Sequence, residues 1–128
     1  MPFVVTYNPD TNVIETVVDG EVTVTILMEI FETQARTAAD TGCMLMLNDY
    51  RRAVLALSTL DIYHLPKLIA DVAAAHGTSA FRTRRALVIA RDSADYRFYE
   101  TVTANNAQTE RLFTDIDEAR AWISAAHP

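Results

Sequence analysis

The chain has 128 residues, half of them hydrophobic and 22% charged, with a formal net charge of −6. This length fits one compact domain spanning residues 1–128, and the acidic surface, which repels phosphate groups, excludes general nucleic-acid binding. Because the N-terminus lacks the basic and apolar segments of a signal peptide and no apolar run could span a bilayer, we expect a cytoplasmic protein.

The first two elements are predicted to form an antiparallel β-hairpin. Phe3 to Tyr7 and Val13 to Val18 are runs of β-branched and aromatic residues, and the turn-forming segment NPDTN lies between them. The pair Asp19-Gly20 is interpreted as the end of the second strand.

A helix is predicted next, from Thr23 to about Asp40. Thr23 has the side chain of an N-cap, and Gly42 stands where a glycine commonly ends a helix. The apolar residues of this segment recur at helical spacing and give the helix one buried face. They are Val24, Leu27, Phe31, Ala35 and Ala38.

A buried strand, CMLML, is predicted to follow and to end at Asn48 and Asp49. It opens with Cys43, the sole cysteine of the sequence, so an intramolecular disulfide is excluded. We interpret Cys43 as a small buried hydrophobic residue, because burial raises the pKa of a thiol and makes it unreactive. The next helix begins near Ser58, so a long connection is expected after Asp49.

The second helix is predicted to begin with a capping box, because Ser58 and Asp61 have the required spacing. Pro66 removes a backbone donor inside this helix, so a kink or a restart is expected there. His76-Gly77 closes the segment. The buried face of the helix is marked by Ile62, Leu65, Ile69 and Val72.

The remaining elements alternate between strand and helix. Ala86 to Ala90 is a second buried strand, and a helix follows from about Ala94 to Ala104. Arg111 to Phe113 is a short strand, and a last helix opens at Thr114. Strict alternation after the hairpin predicts an α/β fold with a mixed, mainly parallel sheet and about four helices.

Three pieces of the sequence carry a resemblance to a known family. They are MLMLNDYRR, STLDIYHLP and RLFTDIDEARAWI. With the order of elements, they are similar to the small bacterial proteins described as STAS-like or stage-II-sporulation-AA-like, which are related in fold to anti-sigma factor antagonists and CRAL-TRIO domains. The resemblance covers nearly the whole chain and implies a single STAS-like domain.

The same resemblance implies a non-enzymatic regulatory or protein-interaction module, with a protein partner and a homodimer as expectations. In the antagonist branch, a serine at the start of the helix after the middle strand is phosphorylated, within an Asp-Ser-Ser-Gly-like motif. Ser58 or Thr59 takes that position here, so either is implied as a phosphorylation switch. The aspartate and the glycine of the motif are missing.

A binding site is expected at the carboxyl edge of the sheet, where ligands bind in open α/β sheets. Arginines beside two helix N-termini favour a small anion there. In the alternative interpretation, Asp49 caps local N–H groups and the arginines are solvated or paired with acids. The candidate binding residues are Asp49, Arg51, Ser58, Thr59, Arg91 and Ser93.

The alternative function is therefore a small-molecule, anion or lipid-binding protein that uses this edge. Four aromatic residues would line its apolar pocket, or else a dimer face. They are Tyr63, Tyr96, Phe98 and Tyr99.

No catalytic residue, metal ligand or cofactor is predicted. The sequence has no P-loop, no GxGxxG and no G-x-S-x-G motif, and its one lysine, Lys67, falls inside a helix pattern. A triad through His64 is a weaker interpretation of Ser58 than helix capping. The other two histidines, His76 and His127, fall near a helix end and in the C-terminal tail.

Overall fold

The computed structural model describes residues 2–125, and His127 lies outside them. Its nine elements follow the predicted order and confirm an α/β fold with four helices. The strands are β1 (Phe3–Asn8), β2 (Val13–Val22), β3 (Leu45–Leu55), β4 (Arg84–Val88) and β5 (Thr109–Phe113). The helices are α1 (Val24–Thr41), α2 (Thr59–Ala75), α3 (Ala94–Asn105) and α4 (Ile116–Ser124).

The sheet has five strands in the order β1-β2-β3-β4-β5. β1 and β2 pair antiparallel, as the hairpin prediction requires, and the other three pairs are parallel. Each parallel connection passes through one helix, which explains why strands and helices alternate along the sequence. The mixed, mainly parallel sheet is therefore confirmed.

Three helices cover one face of the sheet, and the fourth covers part of the other. Ile30 of α1, Ile62 of α2 and Tyr99 of α3 belong to one buried cluster with Val18 and Leu87 of the sheet. Ala119 and Ile123 of α4 belong to a second cluster, together with Leu47, Val88 and Phe113. The fold thus has three layers around one sheet, with its larger core under α1, α2 and α3.

The middle strands are longer than predicted. β3 continues through Asp49 to Leu55, and β2 continues through Asp19-Gly20 to Val22. The prediction that β3 ends at Asp49 and is followed by a long connection is therefore wrong, as is the end of β2 at Asp19-Gly20. Gly20 has φ of +86°, a backbone conformation that glycine adopts readily, so β2 passes this point without turning away.

β3 contains the charged residues Asp49, Arg51 and Arg52, and a β-bulge allows the strand to continue in the sheet past them. Val17 pairs with Asp49 but Asp19 pairs with Arg52, so β3 holds one more residue than β2 over this stretch. An extra residue reverses which side chains face the core. Tyr50, inside the bulge, is buried in the main core cluster, and Leu55, after the bulge, packs against the same cluster.

The helix ends confirm most of the predicted caps. Thr23 Oγ1 accepts a hydrogen bond from the Ile26 N–H at 3.3 Å, and Gly42 ends α1 with φ of +72°. Cys43 is 1% exposed, in agreement with its interpretation as a buried apolar residue.

Helix α2 runs without interruption from Thr59 to Ala75, so the restart expected at Pro66 does not occur. Proline has no N–H, and the carbonyl of Ile62, four residues earlier, therefore lacks its usual helical partner. Pro66 is buried, and its own carbonyl accepts a hydrogen bond from Gln108 Nε2 at 2.7 Å. This bond ties the middle of α2 to the residue that precedes β5.

Candidate functional site

The carboxyl edge of the parallel strands is also the edge at which all four helices begin. Each helix start carries a capping side chain: Thr23, Ser58, Ser93 and Asp115. Ser93 Oγ accepts from the Tyr96 N–H at 3.3 Å, and Asp115 Oδ1 accepts from the Asp117 N–H at 2.8 Å. The N–H groups that could attract an anion are thus partly used by the caps of the chain itself.

Asp49 and Arg51 are bonded to each other at this edge. Arg51 Nε donates to Asp49 Oδ1 at 2.9 Å, and a second guanidinium nitrogen donates to Oδ2 at 2.7 Å. The two parallel bonds make a bidentate pair, the strongest geometry for these groups. An anion that binds Arg51 would have to compete with the Asp49 carboxylate.

The Asp49–Arg51 pair is expected to shift the pKa of Asp49 by a measurable amount. Its hydrogen bonds with Arg51 hold the pKa of Asp49 below the ordinary value, although burial opposes the shift. The pair therefore contributes stability above the pKa that Asp49 has in the unfolded chain, about 3.9. That contribution is lost as pH falls through the lower, folded pKa.

The pKa of Asp49 is measured by following the NMR chemical shift of its carboxyl carbon as the pH is changed. Arg51→Ala is expected to move the midpoint upward, whereas Arg52→Ala, which removes the smallest of the attractions on Asp49, should move it less. Equal shifts in both variants would contradict a specific pair.

Arg91 and Ser93 lie in the connection between β4 and α3. Arg91 is exposed, Ser93 is the N-cap of α3, and Asp92 between them bonds Arg97 Nε at 2.7 Å. Within residues 2–125, no hydrogen bond or ion pair joins this group to the Asp49–Arg51 pair or to Ser58. The candidate residues thus share one edge as three separate groups.

The start of α2 has the predicted capping box. Ser58 Oγ accepts from the Asp61 N–H at 3.0 Å, and the Ser58 N–H donates to Asp61 Oδ2 at 2.9 Å. A serine cap of this kind stabilises a helix by about 1 kcal/mol relative to alanine. Thr59, the first helical residue, is exposed beside this box. The two hydroxyls therefore differ, since Ser58 is part of the cap and Thr59 adjoins it.

Two large apolar side chains are exposed on the first turns of the same helix. Leu60 is 64% exposed and Tyr63 is 58% exposed. They are three residues apart, so they lie on one helix face. The Tyr63 ring meets the His64 ring edge-on, with centroids 5.3 Å apart. Tyr63 is thus on the surface rather than in the core, and the sequence signal for this was its place outside the buried stripe of α2.

A small cavity lies between the sheet and α1, α2 and α3, with a volume of about 40 Å³. Tyr96 and Tyr99, two of the four aromatic residues predicted to line a pocket, are in its wall, and Phe98 packs against the neighbouring core. Cavities that hold drug-sized ligands have volumes of about 300–1,000 Å³. The cavity in this conformation therefore has no room for a lipid.

The wall of this cavity contains a buried ion pair that was not predicted from the sequence. The side chains of Arg85 and Glu110 are each 4% exposed, with Arg85 Nε 2.9 Å from Glu110 Oε1. A second guanidinium nitrogen of Arg85 donates to Gln108 Oε1 at 2.8 Å, and the Tyr99 hydroxyl donates to Glu110. Burial and the Glu110 charge raise the pKa of Tyr99 well above its ordinary value, so its phenol remains a donor.

Residues 2–125 contain no cluster of three or more histidine, cysteine, aspartate or glutamate side chains that could hold a metal ion. His64 lies beside Tyr63, and His76 Nε2 lies 2.6 Å from Glu32 Oε2. Among the same residues, no helix is both long and apolar enough to cross a membrane.

The fold is similar to that of proteins of solved structure, although the sequence matches no protein-family model and no curated protein. The solved structure of the anti-sigma factor antagonist SpoIIAA in its unphosphorylated form is similar, with a TM-score of 0.54 and 12% identity over 94% of this chain and 96% of that chain.

A crystal structure of an anti-sigma factor antagonist from Mycobacterium paratuberculosis is also similar, with a TM-score of 0.55 and 15% identity over 94% and 93% of the two chains. The protein therefore has the STAS-like fold of anti-sigma factor antagonists, and the resemblance predicted from the sequence is confirmed at the level of the fold.

Proposed function

We propose that this protein is a non-enzymatic regulatory module that works by binding another protein, and that its contact surface is the start of α2. The contact surface comprises Ser58, Thr59, Leu60 and Tyr63. The observation that carries the proposal is the exposure of Leu60 and Tyr63, at 64% and 58%, next to two exposed hydroxyl-bearing residues. The two similar structures are described as anti-sigma factor antagonists, which supports a regulatory role for a protein of this fold.

The physical argument starts from the cost of leaving these side chains in water. Burying a leucine or an aromatic side chain in a partner contributes about 1.5–3 kcal/mol from the hydrophobic effect. Tyrosine is enriched in interfaces because its ring is apolar while its hydroxyl still bonds to water or a partner. Leu60 and Tyr63, on one face of a capped helix, are held in position before the partner arrives, which lowers the entropy cost of binding.

Phosphorylation at Ser58 or Thr59 would change this surface. A phosphate brings a charge of about −1.5 to −2 to the positive end of the helix dipole, beside the apolar contact residues. On Ser58, it would meet the Asp61 carboxylate, which already binds the Ser58 N–H. On Thr59, it would leave the capping box intact. Thr59 is therefore the less costly of the two sites.

The contact surface is tested by pull-down from the native host with quantitative mass spectrometry. Tyr63→Glu is expected to reduce recovery of a specific partner at least tenfold, because it puts a charge in the centre of the apolar contact. Phe81→Glu is the matched control, since Phe81 is 61% exposed but lies in the connection from α2 to β4, at the opposite edge of the sheet.

The outcome that contradicts the proposal is a partner that both variants retain or that both lose equally. The switch is tested in the same assay with Thr59→Asp and Ser58→Asp. Partner recovery that neither substitution changes, together with phosphoproteomics that finds neither residue modified, would remove the switch and leave the contact surface.

A further inference from the structure

The two edge strands of the sheet differ in how they are protected. β5, with the sequence TERLF, carries the charged residues Glu110 and Arg111. The backbone N–H of Leu112 points away from β4 and donates to Glu100 Oε2 of α3 at 3.2 Å. Charged side chains and a covered backbone are common means by which an edge strand avoids pairing with another chain. The β5 edge is therefore protected against a further strand.

β1, at the other edge, has neither form of protection. Its sequence, FVVTYN, contains no charged residue, no proline and no glycine, and most of its residues are β-branched or aromatic, which favours strand pairing. Among residues 2–125, no side chain and no second strand bonds to the outer backbone groups of β1. Val4 is 55% exposed, so the strand also presents an apolar side chain to water. β1 is thus an open edge.

The register of the hairpin determines which backbone groups of β1 point outward. The N–H of Asp19 donates to the carbonyl of Pro2 at 2.8 Å, so these two residues form a hydrogen-bonded pair. Such pairs alternate along an antiparallel ladder, and Val4 and Thr6 are therefore also bonded to β2. The N–H and C=O groups that point away from the sheet are those of Phe3, Val5 and Tyr7.

We propose that β1 pairs with β1 of a second copy of this chain, antiparallel and about a two-fold axis at Val5. Outward groups on alternate residues match their own reverse, so Val5 faces Val5 of the second copy and about six backbone hydrogen bonds form. Phe3 then faces Tyr7 of the second copy, and aromatic cross-strand pairs are favourable. Because β1 is uncharged, two chains that each carry a net charge of −6 meet where no like charges are opposed.

The difference between the two edges also sets the number of copies. A two-fold contact uses the same strand on both chains, so it closes and leaves no second β1 exposed. The continuous sheet of the two copies ends at a protected β5 on each side. A dimer is therefore expected, and not a fibre.

Sedimentation equilibrium of the intact protein is expected to give twice the 14.3 kDa of one chain, with no larger species. Amide hydrogen exchange followed by NMR locates the contact. The outward N–H groups of Phe3, Val5 and Tyr7 are expected to exchange about tenfold more slowly, or slower still, once the protein concentration exceeds the dissociation constant. The N–H groups of Val4 and Thr6 bond to β2 within one chain, so their exchange should change less.

Two variants test the pairing directly. Val5→Pro removes an outward donor at the centre of the contact and leaves the bonds between β1 and β2 in place, so it is expected to raise the dissociation constant about tenfold or more. Val4→Lys with Thr6→Lys should do the same, because these two exposed positions face each other across the axis and would oppose like charges. The matched control, Val17→Lys with Val54→Lys, adds the same charge to exposed valines of β2 and β3 and should change the dissociation constant less than about threefold.

The proposal is overturned if the protein is a monomer at about 1 mM, where even a weak dimer forms. It is also overturned if the outward N–H groups of β1 stay unprotected in a dimer, or if the double lysine variant and its control have the same dissociation constant. These outcomes concern β1 and not the contact surface at the start of α2, so the two proposals fail separately.

Discussion

Replacing Glu110 with glutamine is expected to lower the free energy of unfolding by about 3–5 kcal/mol, because it leaves the buried Arg85 guanidinium without a counter-charge. Both side chains are 4% exposed, so water cannot compensate for the lost carboxylate. Glutamine keeps the shape of glutamate and can still accept the Tyr99 hydroxyl bond, so the substitution isolates the charge. Urea denaturation at neutral pH measures the loss.

The matched control is the double variant in which Arg85 becomes methionine and Glu110 becomes leucine. Removing both charges together is expected to restore stability to within about 1–2 kcal/mol of the wild type or to exceed it, since apolar replacements of a buried ion pair are often neutral or stabilising. If the double variant is as unstable as Glu110→Gln, the packing of these side chains and not their charge is what the core requires.

The second large effect is expected for Leu65→Ala, with a loss of about 2–5 kcal/mol in the free energy of unfolding. Leu65 is 6% exposed and packs between α2 and the sheet, so truncation removes buried apolar surface and enlarges the cavity beside it. Thermal or urea denaturation provides the measurement.

The same substitution five residues earlier supplies the control. Leu60 is on the same helix but is 64% exposed, and Leu60→Ala is expected to change stability by less than about 0.5 kcal/mol. A large loss in Leu60→Ala would mean that this side chain is part of the core and would remove the argument for the contact surface. The pair of variants thus tests the core and the proposed interface together.

The topology was predictable from the sequence because each signal that defines it is local. The hairpin follows from NPDTN between two β-branched runs, and α1 and α2 follow from Thr23 and Ser58 as caps of periodic apolar segments. The length of β3 was not predictable in this way. Arg51 and Arg52 look like the end of a strand, and the bulge that keeps Leu55 on the core side depends on pairing with β2.

In the candidate site, too, the features formed within one segment were predictable from the sequence, whereas those formed between distant segments were not. The Ser58–Asp61 capping box depends on three residues of one segment, so its spacing alone predicted it. The Arg85–Glu110 pair joins two strands, and its detection requires the register that places Arg85 opposite Glu110. Leu60 and Tyr63 lie outside the predicted buried face of α2, so their exposure followed from the sequence. The sequence pattern was used only to identify the core, and the exposed pair was therefore not recognised as a candidate surface.

Pro66 has a consequence for how the contact surface could be remodelled. The missing N–H removes one rung from the hydrogen-bond ladder of α2, between the turns that carry Leu60 and Tyr63 and the turns held by Gln108. Proteins open locally in roughly contiguous segments, at a lower free-energy cost than global unfolding. Residues 59–65 are therefore expected to exchange their backbone amide protons faster than the C-terminal half of α2, although Ile62 and Leu65 anchor them to the core.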